Sequence, residues 1–365
     1  MTDGTPLSTT HQIHTADARD LSAVSAESVD LVITSPPYPM IEMWDDLFAD
    51  LDSRIGQFLD AGKGSAAFDA MHEVLDSVWD ELDRVVAPGG IVCINVGDAT
   101  RTVDGRFRVY PNHARITEAV ERRGFEPLPD VLWHKPTNSG AKFMGSGMLP
   151  PSAYVTLEHE HILVFRKGHR REFEPDSERR YEAAYFWEER NRWFTDVWTE
   201  VRGRLQELPG EELRDRAAAF PFEIPYRLCN MYSVYGDTVL DPFWGTGTTT
   251  LAAMIAGRNS IGYEREAAFL DQFDRDTERV PERARSVLAT RLAAHREFVT
   301  ERTEAGDPPD YESTHYGFPV MTSQEQDIRF YVADSVDETD AQQYTVGYEP
   351  AAETSVVETA PASDD

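Results

Sequence analysis

The chain has 365 residues, with 35 basic against 65 acidic side chains and a formal net charge of −30. That length suits one large domain or two ordinary ones, and so acidic a balance argues against a broad basic surface of the kind that holds a polyanion. Cys93 and Cys229 are the only cysteines and lie far apart, which gives neither a zinc spacing nor a disulfide framework; the first residues are polar, without a basic-then-apolar leader, and no apolar run approaches the ~18 residues of a membrane helix, so we expect a soluble, cytoplasmic protein.

In chain order, residues 11–15 read as a short strand followed by an acid, Asp17, and 21–28 as a short helix or turn. Val29, Leu31, Val32 and Ile33 form an apolar, β-branched run, the pattern of a strand buried on both faces in a parallel sheet. Thr34-Ser35-Pro36-Pro37-Tyr38-Pro39 ends it. The prolines remove backbone donors, fix φ and hold the residues before them extended. The result is a stiff tip carrying a hydroxyl (Ser35) and an aromatic ring (Tyr38), at the strand end where open α/β sheets bind their ligands. A proline-rich loop can do no more than end a strand; the string S-P-P-Y directly after a hydrophobic strand is the more specific signal.

Residues 41–65 read as irregular. Over 66–86, Phe68, Met71, Leu75, Val78, Trp79 and Leu82 recur at helical spacing, and Pro88-Gly89-Gly90 stops the helix. Residues 90–96 make a second buried strand, 111–123 a helix stopped by Gly124, and 128–134 and 155–165 two further strands. In the last of these, His159-Glu160-His161 invites a metal. Successive strand residues face opposite ways, so only the two histidines share a side, and further ligands of matching spacing are missing; no metal is expected. Residues 166–180 hold Arg166, Lys167, Arg170, Arg171, Arg179 and Arg180, the densest basic patch of the chain, and Tyr181, Tyr185, Phe186, Trp187, Trp193, Phe194 and Trp198 follow. Basic residues interleaved with aromatics suit a nucleic-acid surface; a solvated helix with core aromatics would look the same.

Phe220, Pro221 and Glu223 open a helix that runs through Met231. Residues 237–241 form a strand, 242–250 a Gly- and Thr-rich turn, 251–256 a helix closed by Gly257, and 260–264 the next strand. Gly245 and Gly247 let backbone approach a ligand. Thr248 can cap the helix, and Glu264 ends the second strand as an acid placed for ribose hydroxyls would. The dinucleotide fingerprint fails because its third glycine is Thr250, and the P-loop fails because no Gly-Lys-Thr follows. Residues 265–303 read as helical and charged, 327–348 as a hairpin without an assigned role, and 349–365 as a disordered acidic tail.

Two of these stretches carry a resemblance. Ser35-Pro36-Pro37-Tyr38 resembles the catalytic motif of DNA methyltransferases that act on exocyclic amino groups, and Asp-Pro-Phe-x-Gly-x-Gly-Thr-Thr at 241–249 resembles their S-adenosylmethionine motif. The catalytic motif comes first, the order of the β group, whose sheet is a circular permutation of the usual methyltransferase sheet. The resemblance spans about residues 10–270 and implies an α/β, Rossmann-like methyltransferase fold with a mostly parallel twisted sheet. It implies a catalytic half at 10–165, a target-recognition insertion at 166–219 and a cofactor half at 220–270, with a helical accessory extension at 271–348 and the tail at 349–365. Asp241, Phe243, Gly245, Gly247 and Thr248 would then hold the methionine end of S-adenosylmethionine, with Phe220, Pro221 and Glu223 lining the same pocket. Glu264 would hold the ribose and Asp17 the adenine. The longer string at 35–44, S-P-P-Y-P-M-I-E-M-W, is similar to archaeal modification methylases that make N4-methylcytosine in the sequence CTAG. Duplex DNA is the implied partner and a cognate restriction endonuclease a further one; the oligomeric state stays open.

The chemistry follows from the implied roles. The amine of cytosine is a poor nucleophile because its lone pair is delocalised into the ring. The Ser35 hydroxyl oxygen and the Pro36 carbonyl, aimed at its hydrogens, would localise that pair, and Tyr38 would stack on a base flipped out of the duplex. The family's adenine enzymes usually carry aspartate at the position of Ser35, which favours cytosine N4. Adenine N6, an RNA or protein amine, and a non-catalytic DNA-binding module are the alternatives. Methylation at cytosine C5 needs a cysteine nucleophile, and neither Cys93 nor Cys229 belongs to a Pro-Cys pair. Only Lys63, Lys135, Lys142 and Lys167 are lysines, so 35 − 4 = 31 basic residues are arginine. That acidic, arginine-retaining balance resembles proteins of halophilic organisms, where molar salt screens repulsion to about 3 Å and local arginine patches can still hold DNA.

Overall fold

The computed structural model describes residues 7–135, 144–145, 148–202 and 220–352. The sequence-predicted tail therefore lies outside the described residues from 353 on, as do 203–219 of the expected insertion. Ten strands form one sheet: β1 (Ser8–Thr15), β2 (Val29–Thr34), β3 (Val86–Val96), β4 (Phe125–His134), β5 (His159–Lys167), β6 (Val197–Trp198), β7 (Thr238–Asp241), β8 (Asn259–Glu264), β9 (Tyr331–Asp340) and β10 (Gln343–Pro350). Across the sheet they run β6-β4-β5-β3-β2-β7-β8-β1-β10-β9. β3, β2, β7, β8 and β1 are successive parallel neighbours. β5 runs antiparallel between β3 and β4, and β10 and β9 are added antiparallel beyond β1. This is the mostly parallel, Rossmann-like sheet that the resemblance implies. Its permutation is visible at the β2–β7 pair, where the N-terminal and C-terminal halves of the chain meet.

The central strands are apolar on both faces because helices cover both. These are α1 (Gly64–Val85), α2 (Asn112–Glu121), α3 (Glu223–Tyr232), α4 (Thr248–Ala256) and α5 (Val280–Glu304). Leu31, Ile33, Cys93 and Val239 share a core with α3 and α4, whereas Val32, Val92, Ile94 and Leu240 share one with α1 and α2. Trp79 of α1 is buried in the second core; an aromatic side chain of that size contributes about 1.5–3 kcal/mol by its burial. A third cluster, Phe186, Leu288, Leu292, Phe318 and Phe330, surrounds the buried His295 and joins the 178–198 segment to α5. Among the described residues no helix is long and apolar enough to cross a membrane.

Several boundaries differ from the sequence reading. Residues 41–65 are not irregular: Asp45–Leu51 and Ser53–Asp60 are helices. Each is about two turns, too short to show a period, and the second is capped by Asp52, which accepts the Arg54 N–H at 2.9 Å. α1 ends at Val85, ahead of Pro88-Gly89-Gly90, which lies inside β3 instead of stopping the helix; Gly89 takes a φ of +82° and the register with β2 shifts between Val29 and Leu31. A hairpin, Ala99–Val103 with Arg106–Tyr110, follows β3. The C-terminal hairpin has a clear role, since β10 pairs with β1 from Ser8↔Gly347 to Gln12↔Gln343 and covers what would otherwise be a sheet edge.

Candidate active site

The ends of β2 and β7 lie side by side, and one carboxylate ties them together. Thr34, the last residue of β2, donates its hydroxyl to Asp241 Oδ1 at 2.7 Å. Thr249 at the start of α4 donates to Asp241 Oδ2 at 2.7 Å, and the Phe243 N–H reaches Oδ1 at 3.1 Å. Asp241 is 3% exposed, and burial pushes its carboxyl up to about 6 against these donors. The S-P-P-Y tip and the Gly-rich turn, about two hundred residues apart in sequence, thus share one edge of the sheet.

The tip is held rigidly. Pro36 is buried, and Ser35, Pro37 and Tyr38 are half-buried. The buried amide of Asn112, at the start of α2, donates to the carbonyls of Pro39 at 3.1 Å and Gly97 at 2.9 Å. Its own oxygen lies 3.1 Å from His72 Nε2 of α1; burial lowers that imidazole to about 3, so it is neutral. Beyond the tip, Met40 sits at φ +68°.

On the tip's inner side is a polar network. Ser35 Oγ lies 3.1 Å from Tyr38 Oη, and Tyr38 donates to Glu160 Oε2 at 3.0 Å. Asn95 of β3 donates from Nδ2 to Tyr38 Oη at 2.9 Å and to Glu160 Oε2 at 2.7 Å. Lys135, just past β4, pairs with Glu160 Oε1 at 2.7 Å. Asn95, Lys135 and Glu160 belong to no sequence motif. The available signal was alternation: if His159 and His161 share one side of β5, Glu160 faces the other, and that side carries Tyr38.

The histidines form a separate group. Among the described residues, Asp98, His113 and His161 gather their possible ligand atoms within 4.8 Å. His113 Nδ1 is already 2.8 Å from Asp98, and the His113 and His161 rings stack at 4.1 Å and 13°. Burial and the neighbouring His113 hold His161 below its usual range.

The cofactor motif is also brought together. Glu264 accepts the Gly245 N–H and the Glu266 N–H, each at 2.8 Å, and burial raises its carboxyl above the usual range. Asp17, just past β1, adjoins it: Ala16 N–H donates to the Glu264 carbonyl at 2.9 Å, and Asp17 pairs with Arg19. A β-carbon at Gly245 would meet nothing nearer than the Phe243 carbonyl at 3.9 Å, so this backbone faces open space. Gly247 differs. It sits at φ +79°, and a β-carbon there would lie 2.4 Å from Phe273 and 2.7 Å from Trp244; it seats the turn on the core. Gly262 on β8 does the same for Trp244, at 2.2 Å. Gly247, not Thr248, occupies the cap position of α4. Phe243 packs edge-on against Trp79. Phe220 and Pro221 precede α3, which shares a core with α4 and β2; the Glu223 carboxylate is taken by Arg227 at 2.7 Å.

The arginine-rich stretch lies elsewhere. β5 is antiparallel, so its far end reaches the opposite edge of the sheet from Tyr38. There Arg166 pairs with Glu126, and Lys167 donates to the carbonyls of Asp83 and Val86. Arg171 pairs with Asp237 at 2.7 Å and Asp30 at 3.1 Å, and Arg179 with Asp237 at 2.8 Å. Arg170 and Arg180 are exposed, the latter over Phe173. The arginine stretch therefore does not join the tip, and carboxylates at the starts of β2 and β7 engage two of its cations, Arg171 and Arg179. Of the aromatics that follow, Phe186, Trp193 and Trp198 are buried. Both cysteines are buried, and burial raises Cys93 and pushes Cys229 up to about 12, so neither is a nucleophile.

Comparison with known proteins shows the family. The profile of the DNA methylase family of N6 and N4 methyltransferases matches residues 29–275. The type II methyltransferase M.MthZI of Methanothermobacter thermautotrophicus is 50% identical over 328 residues, 89% of this chain and 91% of that protein. The type II methyltransferase M.MjaI of Methanocaldococcus jannaschii is 51% identical over 269 residues, 71% of this chain and 88% of that protein. Among solved structures, a DNA modification methylase from Thermus thermophilus, complexed with S-adenosyl-L-methionine, is similar over 74% of this chain and 96% of that one, with a TM-score of 0.58 and 33% identity.

Proposed function

The chain belongs to the DNA methylase family of N6 and N4 amino-methyltransferases, and on that premise we propose that it methylates the exocyclic N4 amine of cytosine in duplex DNA, within CTAG. As a family member it is a DNA methyltransferase that uses S-adenosylmethionine. The observation that carries the site assignment is the Thr34–Asp241 hydrogen bond, which sets the S-P-P-Y tip beside the Gly-rich turn. Serine at position 35 supports cytosine over adenine, the string at 35–44 supports the CTAG reading, and the type II naming of the relatives suits a cognate restriction endonuclease.

S-adenosylmethionine supplies an electrophilic methyl group on a sulfonium. Asp241, Phe243, Gly245, Gly247 and Thr248 would hold its methionine end, with Phe220, Pro221 and Glu223 beside them, Glu264 at the ribose and Asp17 at the adenine. The open backbone at Gly245 and the buried carboxylate of Asp241 suit a cationic ligand with close main-chain contacts. Ser35 Oγ and the Pro36 carbonyl accept the amino hydrogens of the flipped base and leave its lone pair directed outward. Tyr38 packs against the base, offsetting about 1–3 kcal/mol of the cost of unstacking it. Catalysis on this reading is positioning and electrostatics.

The test is methylation of genomic DNA with labelled cofactor in high salt, followed by nucleoside chromatography and repeated on duplexes with CTAG or a scrambled site. N4-methylcytosine made only in CTAG is expected. N6-methyladenine as the sole product overturns the cytosine assignment. Ser35→Ala should abolish turnover and leave cofactor binding near normal, and retained turnover removes Ser35 from the mechanism.

A further inference from the structure

The Tyr38 hydroxyl stands between unlike groups: Glu160 Oε2 at 3.0 Å, Asn95 Nδ2 at 2.9 Å and Ser35 Oγ at 3.1 Å. A phenol has one proton to give, a carboxylate only accepts and an amide NH2 only donates. Tyr38 therefore gives its proton to Glu160 and accepts from Asn95. The contact with Ser35 is left with one polarity, in which Ser35 donates and Tyr38 accepts. With its proton turned inward, Ser35 Oγ presents only lone pairs to whatever lies in front of it. An acceptor for amino hydrogens needs that state, and a free serine hydroxyl would hold it only part of the time.

The groups around Glu160 keep this polarity. Lys135 Nζ at 2.7 Å and Asn95 Nδ2 at 2.7 Å both donate to Glu160 and hold its side chain in place. Burial and the charge of Glu160 raise the Tyr38 phenol far above its ordinary range, so it keeps its proton. The neighbouring titratable side chains, His159 and His161 with Asp98, His113 and Asp130, contact one another on the opposite side of β5. His134 and Glu158 pair near the strand end.

We propose that Glu160 is a positioning residue for methyl transfer: acting through Tyr38, it fixes Ser35 as a pure acceptor for the target amine and takes up, along the same chain, the proton that the methylated amine releases. This rests on Ser35 being the acceptor, as argued above. One proton leaves per turnover. An N–H bond of the cationic amine breaks toward Ser35 Oγ, the Ser35 proton passes to Tyr38, and the Tyr38 proton passes to Glu160 Oε2. The amine and Glu160 both end neutral.

The experiment is a double-mutant cycle read by single-turnover rate, with cofactor affinity by calorimetry as the check on folding. Glu160→Gln can turn its amide NH2 toward Tyr38 and reverse the chain. It should lose on the order of a hundredfold in rate at unchanged cofactor affinity, and Tyr38→Phe should also lose rate. The double variant should be no slower than the slower single, because the chain is already cut. Full rate in Glu160→Gln, or losses that multiply in the double variant, overturns the proposal. If Glu160→Gln does not bind cofactor, Tyr38→Phe carries the test alone, and full rate there overturns it. Ser35→Ala run alongside separates the two failures. Full rate in Ser35→Ala means the serine assignment has failed; a dead Ser35→Ala beside an unimpaired Glu160→Gln means only the polarity argument has.

Discussion

Replacing Thr34 by valine probes the tie between the two halves of the site. Thr34 is fully buried and donates to Asp241 Oδ1 at 2.7 Å. Valine keeps the β-branched shape, so the change removes the donor with little loss of packing. Asp241 would retain the Thr249 hydroxyl and the Phe243 N–H. A hydrogen bond to a charged group contributes about 1.5–3 kcal/mol, and the upper part of that range applies because water cannot replace a donor at this depth. The loss should depend on pH. Burial places the folded Asp241 carboxyl at about 6, above the ordinary 3.8, and Thr34 is among the donors opposing that rise. Removing it raises the folded value further. An acid raised in the folded state contributes stability that is fully present below its unfolded pKa and is lost as pH rises through its folded pKa. The variant should therefore fall furthest behind its parent above pH about 6, where Asp241 is ionised, and the gap should narrow toward pH about 4. Urea unfolding near pH 5 and near pH 8, in the same salt, measures this. We expect a loss of about 2–3 kcal/mol at the higher pH and a clearly smaller one at the lower. No loss near pH 8, or an equal loss at both, refutes the claim that an ionised Asp241 depends on Thr34.

Three further outcomes follow from the same structure. Affinity for S-adenosylmethionine should drop as pH falls through about 6, since protonation removes the negative charge of Asp241; calorimetry showing no dependence over that range would separate Asp241 from the cationic end of the cofactor. Arg171→Ala should lower stability by about 1–3 kcal/mol, because it takes one of two arginines from Asp237, whose side chain is 1% exposed. It should leave DNA affinity unchanged in a mobility-shift titration, and weakened DNA binding by the folded variant would restore the arginine stretch as a DNA contact. The melting temperature should rise between about 0.1 and 1 M salt, where the Debye length shrinks from about 10 to 3 Å, because the chain carries a charge of −30; a salt-independent melting temperature would detach that charge from stability.

The parts of the site that could be read from sequence are those whose chemistry lies in one continuous string. Prolines at 36, 37 and 39 fix a tip wherever they occur after a buried strand, and glycines at 245 and 247 mark a tight turn. Asn95, Lys135 and Glu160 were hidden because each strand contributes one residue, and only the pairing of β3, β5 and β4 brings them to Tyr38. The setting of the arginine stretch was hidden for a related reason. Its density is a local property, but the partners that engage it, Asp30 and Asp237, come from strands far away in sequence. Glycine was readable as a turn signal but not by purpose: Gly245 faces open space, whereas Gly247 and Gly262 leave room for Trp244. The C-terminal hairpin had a legible pattern, and only its register with β1 gave it a role.

That register bears on how the protein is made. β1 precedes every other strand in the chain, yet its two neighbours are β8 and β10, with His11 opposite Ser260 on one side and Tyr344 on the other. At about 5–20 residues per second, the ribosome would need roughly 12–50 s to pass from the first of these residues to the second. Until then the β1 segment has no sheet to join. Asp17 travels with it and reaches Glu264 only when β8 has emerged. β2, α1 and β3 can come together before that, but the Asp17–Glu264 corner waits for β8. The emergence of β8 therefore sets the earliest moment at which the Asp17–Glu264 corner of the sheet can close.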